Sequence, residues 1–206
     1  NVFFFHTGLL VGSDEVRRVA KNFGMSAKTG IDLPFESAGS VPSRNNFRGR
    51  WFTGDTINFS IGQGKVLATP IQLVKMMAVV ANRGKVVQPH LIYAIADKWP
   101  DQLEKPHALK VSPEIFDVIQ EALENVVSGV TGTAHNLYIP GVKSFGKTGT
   151  AQAGEGKENH AWYVGYTQGE KRTITYCVFL EHGGSSHNSV DLARELLLRL
   201  QGLGIV

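Results

Sequence analysis

Lysine, threonine and glycine are packed into one short stretch, Gly146-Lys147-Thr148-Gly149-Thr150-Ala151-Gln152. It gathers one cation, two hydroxyls and two glycines within seven residues, ahead of the strand-like run His160-Ala161-Trp162-Tyr163-Val164-Gly165-Tyr166. If residues 147–152 form an extended sheet edge, they offer backbone N–H and C=O groups beside a positive charge. Such an edge suits an extended peptide ending in a carboxylate. Strand addition supplies backbone hydrogen bonds, and the lysine supplies attraction. Gly149 has no side chain to hold such a ligand away from the backbone.

Two other motifs overlap these residues. Gly141-Val142-Lys143-Ser144-Phe145-Gly146-Lys147-Thr148 spells the phosphate-loop pattern G-x-x-x-x-G-K-[ST]. That chemistry needs an apolar strand before the loop and a helix opening at its Lys-Thr, so that helix N–H groups meet the phosphate. Residues 131–140 are polar, contain glycine and end in proline, and residues 150–159 are glycine-containing without a 3.6-residue apolar period. No helix is expected there. Ser144-x-x-Lys147 matches a serine-nucleophile pattern, but a helical turn must bring the amine under the hydroxyl, and Gly146 within a strand-like stretch opposes one.

The elements that position this stretch can be read from periodicity. Ser13 can cap a helix carrying Asp14 and Glu15 in its first turn, with Val16, Val19, Ala20 and Phe23 inward and Gly24 as its stop. Thr69-Pro70 opens a second, with Leu73, Met76, Met77 and Val80 inward and Gly84 at its end. Ser112-Pro113-Glu114 opens a third, with Phe116, Ile119, Leu123, Val126 and Val127 inward and Gly129 closing it. A fourth covers residues 190–200. Strands are expected at 144–152, 161–167 and 173–181, the last two as a hairpin across Gln168-Gly169-Glu170-Lys171, with a further candidate at 91–96. The fold class is therefore α+β, an antiparallel sheet packed with helices. Residues 28–65 have little periodicity. A loop of that length is functional or tied down by its own aromatic residues, and Trp51 is the expected anchor.

The 206 residues suffice for one domain, and 42% apolar residues suffice for a core. A net charge of +3 with dispersed Lys and Arg gives no indication of nucleic acid or membrane-surface binding. The single Cys177 sits in an apolar run and reads as a structural thiol. His160, His182 and His187 lack metal-ligand spacing, so neither metal nor cofactor is expected. No apolar run reaches membrane-span length. The chain opens on Asn1-Val2-Phe3-Phe4-Phe5 without methionine. Either upstream residues normally cover these phenylalanines or this is a processed terminus, and the first is expected because exposed apolar surface is costly.

Taken together, several stretches resemble the transpeptidase domain of class B penicillin-binding proteins. They are Phe23-Gly24-Met25 with Lys28-Thr29-Gly30-Ile31-Asp32-Leu33-Pro34; Gly54-Asp55-Thr56-x-Asn58-x-Ser60-Ile61-Gly62-Gln63-Gly64 with Thr69-Pro70-Ile71-Gln72-Leu73; Gly132-Thr133-Ala134; Gly146 to Gln152; His160-Ala161-Trp162; and Glu181-His182-Gly183-Gly184. Their spelling and order are similar to the elongation-type members.

The resemblance implies a penicillin-binding protein/serine β-lactamase-like fold, with residues 1–206 as the C-terminal part of one transpeptidase domain. It implies a peptidoglycan D,D-transpeptidase on the periplasmic face of the bacterial inner membrane. Its partners would be stem peptides, β-lactams, a membrane glycan polymerase and the upstream part of its own domain. Lys147 would hold positive potential in the cleft. Thr148 and Thr150 would bind the substrate carboxylate, the Thr150 N–H would donate to the oxyanion, and Asn1 would end the family's Ser-x-Asn motif. Gly149, Gln152 and Trp162 would line the substrate groove. The Ser-x-x-Lys helix is not in this sequence, so the 206-residue chain alone is expected not to acylate. A non-catalytic β-lactam- or peptide-binding sensor or an inactive homologue and, remotely, a phosphate-loop nucleotidase are the alternatives.

Overall fold

The computed structural model describes residues 1–94, 103–170 and 172–206. The chain divides into two compact units, residues 1–76 with 87–106 and residues 77–86 with 107–206.

The first unit opens with α1 (Val2–Val11) and α2 (Ser13–Asn22). Gly12, with φ at +83°, ends α1 and is the N-cap of α2. Glycine tolerates this positive φ at position 12, where a residue with a side chain would be strained. Ser13, expected to cap, is the first helical residue, and its buried Oγ accepts the Arg44 N–H at 3.0 Å. Of the residues expected inward on α2, Val16 and Ala20 pack against a small core of Met25, Val41 and Phe59, whereas Val19 is exposed. A short helix, α3 (Thr53–Phe59), interrupts the segment that periodicity left irregular. At seven residues it is too short to display a period. α1 approaches the end of α3 closely, because a Cβ at Gly8 would stand 2.2 Å from the Ser60 Cβ.

Side-chain grips, some local and some long-range, hold the rest of this unit. Gln72 is fully buried; its Oε1 accepts from Thr69 N at 2.9 Å, and its Nε2 donates to Ala27 O and Ala38 O, both at 2.7 Å. Glu36 accepts from Thr29 N, Thr29 Oγ1 and Gly30 N. Asp14 accepts from Ser43 Oγ and Asn45 N. Trp51 anchors its loop as expected: its Nε1 donates to Thr56 Oγ1 at 2.9 Å, and its ring meets Phe47 and Phe59 edge-on. The strand expected at 91–96 is not found at residues 91–94; residues 95 and 96 lie outside the described residues. The Leu91 and Ile92 N–H groups donate to the Asp32 carboxylate at 2.7 and 2.8 Å, which removes them from any ladder.

α4 (Pro70–Ala81) spans the boundary between the units and ends before Gly84, where φ is +95°. In the second unit β1 (Lys85–Val86) pairs with β2 (His107–Ala108). α5 (Pro113–Ser128) follows Ser112 and stops at Gly129, both as expected. A 3-10 turn at His135–Leu137 leads to β3 (Lys143–Ala151), β4 (His160–Gln168) and β5 (Thr173–Leu180). They form an antiparallel sheet in the order β3-β4-β5, so β3 is an edge among the described residues. α6 (Ser186–Gly202) begins four residues before the expected 190, capped by Ser185, whose Oγ accepts from His187 N. Tyr163, Tyr176 and Val178 meet Val127, Leu137, Val190, Ala193 and Leu197 in the unit's apolar core. The architecture is α+β, with helices on an antiparallel sheet.

Candidate active site

Register decides what the edge presents. Lys147 faces Val164, Thr148 faces Tyr163, Gly149 faces Trp162 and Thr150 faces Ala161. Directly opposed residues share a face. Thr148 and Thr150 therefore lie on the face of Tyr163, toward the core, whereas Lys147 and Gly149 lie on the face of Trp162. The candidate residues straddle the rim of the sheet. Ser144 is three residues before Lys147 and thus on the opposite face; its buried Oγ pairs with Thr167 Oγ1 at 3.1 Å. This excludes Ser144-x-x-Lys147 as a nucleophile pair. Lys147 and Thr148 lie in the middle of a strand, so no helix N-terminus meets them and the phosphate-loop reading ends here.

The two glycines of this strand serve different ends. At Gly146 a Cβ would stand 2.0 Å from the Tyr163 hydroxyl, and at its partner Gly165 a Cβ would stand 2.4 Å from Phe145 O. Both are demanded by packing, because Tyr163 is fully buried. At Gly149 the nearest contact for a Cβ is the Trp162 Cβ at 3.4 Å, ordinary van der Waals distance, and its φ is not left-handed. Nothing in the fold requires glycine at 149, and its bare backbone is open to a ligand.

Lys147 is exposed as a residue, and its ammonium folds onto its own strand to donate to Thr148 O at 2.7 Å. Partial desolvation there lowers its pKa from the ordinary lysine value. A bond from the ammonium reaches the Thr148 carbonyl, and Thr150, two residues on, has the same backbone orientation. Thr148 is 8% exposed and its hydroxyl meets that of Thr133 at 2.9 Å. Sequence reasoning gave Thr133 no role, although Gly132-Thr133-Ala134 was among the recognised motifs; a hydroxyl four residues after the helix stop at Gly129 was the available signal. Gln152 is exposed just past the strand end, which falls one residue before the expected 152. Trp162 is half-buried, its ring 4.1 Å from that of Phe179. Asn1 lies in the other unit, exposed, at the N-cap of α1 without a side-chain capping bond.

Loops close the end of the sheet next to Thr150 and Ala151. Gly184 N donates to Asn159 O at 2.8 Å, and His182 N donates to His160 Nδ1 at 3.1 Å. His182 Nδ1 is 3.0 Å from Glu158 O. The Nδ1 of each ring is thus engaged with backbone, and among the described residues no group of three or more His, Cys, Asp and Glu side chains is placed to hold a metal. No helix among them is long and apolar enough to cross a membrane.

The family model for the penicillin binding protein transpeptidase domain matches residues 1–198. The chain is 30% identical to the peptidoglycan D,D-transpeptidase MrdA of Haemophilus influenzae, covering 96% of this chain and 34% of that protein. A solved complex of the penicillin-binding protein PBP2 with MreC from Helicobacter pylori superposes with a TM-score of 0.85 at 29% identity, over all of this chain and 39% of that one. A chain of a peptidoglycan synthase complex that coordinates polymerization and crosslinking superposes with a TM-score of 0.79 at 32% identity, over 94% of this chain and 33% of that one. The chain thus spans about a third of the length of the curated relatives it matches. Residue order, sheet register and these likenesses agree, and the chain belongs to the penicillin-binding protein transpeptidase family.

Proposed function

We propose that residues 1–206 are the C-terminal part of one D,D-transpeptidase domain of the elongation type, and that β3 forms one wall of its acyl-transfer cleft. The observation that carries this reading is the edge at 147–150: a partly desolvated ammonium, a bare Gly149 that packing does not require, and hydroxyls on the other side of the rim. In this role a serine from the upstream part of the domain attacks the carbonyl of a D-Ala-D-Ala stem peptide. A neighbouring lysine there takes the serine proton, the terminal D-Ala leaves as the free amine, and an acyl-enzyme remains. The amine of a second stem peptide attacks the ester, restores the serine hydroxyl and completes the cross-link.

Lys147 supplies positive potential and orients the hydroxyl network. Thr148 and Thr150 receive the substrate carboxylate, and the Thr150 N–H donates to the developing oxyanion. Loss of one such donor costs about 2.7–4 kcal/mol of transition-state stabilisation. Gly149, Gln152 and Trp162 line the groove, and Asn1 ends the Ser-x-Asn motif. β-Lactams acylate the same serine. The upstream part of the domain packs on α1, where Val2, Phe3 and Leu10 are more than 70% exposed in this chain.

The complex of a similar PBP2 with MreC and the similar synthase chain support assembly with a membrane glycan polymerase on the periplasmic side of the inner membrane. The test is covalent labelling of the full-length protein by a fluorescent penicillin, together with D-Ala release from a D-Ala-D-Ala peptide. Both are expected, and the 206-residue chain alone is expected to remain unlabelled. Labelling without turnover assigns a sensor instead. Absence of both removes the proposal.

A further inference from the structure

We propose that Thr133 is a positioning residue for the carboxylate subsite on β3: its hydroxyl donates to Thr148 Oγ1 and leaves the Thr148 proton free for an incoming carboxylate. This rests on the transpeptidase reading above. The two hydroxyls are 2.9 Å apart, and either atom can be the donor. A carboxylate only accepts, so Thr148 must donate to it. The oxygen of Thr148 is then the acceptor within the pair, and Thr133 is the donor.

The turn that carries Thr133 is fixed on both sides. At Gly132 a Cβ would stand 2.3 Å from Val126 O and 2.7 Å from Asn125 O, at the carbonyl end of α5, so a larger residue does not fit. Gly132 N donates to Gly129 O at 2.8 Å, and Ala134, fully buried, donates its N–H to Val126 O at 3.0 Å. The helix end thereby aims the Thr133 side chain at β3. Thr133 itself is exposed, so its hydroxyl fills no gap in the core. Its visible partner is the hydroxyl that the proposed chemistry uses.

Acylation rate constants of the full-length protein for benzylpenicillin and for its methyl ester test this. Thr133→Val keeps the side-chain shape and removes the donor. It should slow acylation by the acid about fivefold, the value of one neutral hydrogen bond, and leave the ester unaffected within about twofold. Thr133→Ser should restore the acid rate, and Thr133→Val should add nothing in a Thr148→Val background, because the two act as one unit. Equal losses for acid and ester, no loss, or additivity with Thr148→Val would overturn the role. If Thr148→Val also fails to separate acid from ester, the carboxylate reading of Thr148 falls and Thr133 with it. If Thr148→Val separates them and Thr133→Val does not, only Thr133 falls. Thermal unfolding of each variant distinguishes misfolding, with Thr133→Ala as a second donor-free variant.

Discussion

The two units of this chain reach order by different means. The second buries a continuous apolar core between a register-matched sheet and α5 and α6. The first has a smaller core and relies on individual polar side chains that grip backbone: Gln72 on Ala27 and Ala38 and Asp32 on Leu91 and Ile92, far away in sequence, and Glu36 on Thr29 and Gly30, closer by. Apolar burial is distributed and non-directional. A grip concentrates its contribution in a few atoms, and at fully buried Gln72 its removal leaves polar groups unsatisfied. The first unit should therefore fail at single polar residues, and the second at single steric positions.

The largest expected effect is at Gln72. Gln72→Leu strips partners from Ala27 O, Ala38 O and Thr69 N and should cost about 3 kcal/mol or more in denaturant unfolding. A neutral result would mean that these groups find water and that the grip is dispensable. Next comes the glycine pair on β3. Gly146→Ala forces a collision with Tyr163 and should cost about 1–3 kcal/mol. Gly149→Ala should stay within about 0.5 kcal/mol in stability and yet slow acylation. Equal stability losses would deny that only one of the two glycines serves the fold.

A subtler contrast is acid sensitivity. Burial alone would raise the Glu36 pKa, but its bonds from Thr29 and Gly30 outweigh this and hold it below the ordinary value. Bonds from the Leu91 and Ile92 N–H groups lower that of Asp32. A carboxylate with a depressed folded pKa contributes stability that is present above its unfolded pKa and is lost as pH falls through the folded one. Amide protection factors at Thr29, Gly30, Leu91 and Ile92, taken relative to the intrinsic rate at each pH, should therefore fall on acidification below the ordinary carboxylate range, before those of β4. Simultaneous loss would dissolve the contrast. The smallest effect concerns Cys177, whose thiol burial pushes up to about 11. Iodoacetamide at pH 8 should react with it slowly in the native protein and readily after unfolding.

This contrast also explains what the sequence conveyed. β3, β4, β5 and α5 were legible because each repeats a local period between clear stops, such as Ser112-Pro113 and Gly129. The edge position of Lys147 to Thr150 followed from the same pattern. The grips of Asp32 and Gln72 were not legible, because their partners lie at separations that no local period encodes. Asp32 converts a strand-like segment at Leu91 and Ile92 into irregular backbone. Ser13 misled for a related reason: a serine before two acids looks like a cap, but its hydroxyl is taken by Arg44 N, thirty-one residues away. Thr133 needed the folded turn on α5 to bring its hydroxyl to Thr148.

Lys147 gives the most direct test of the account. Its ammonium is partly desolvated, and the proposed reading gives that charge its role in the cleft. The second-order rate of penicillin acylation should be compared between the full-length protein and its Lys147→Ala variant, with thermal unfolding alongside. The account predicts a loss of about a hundredfold or more in acylation with no loss of thermal stability. Acylation at the parent rate by a folded Lys147→Ala protein would contradict it.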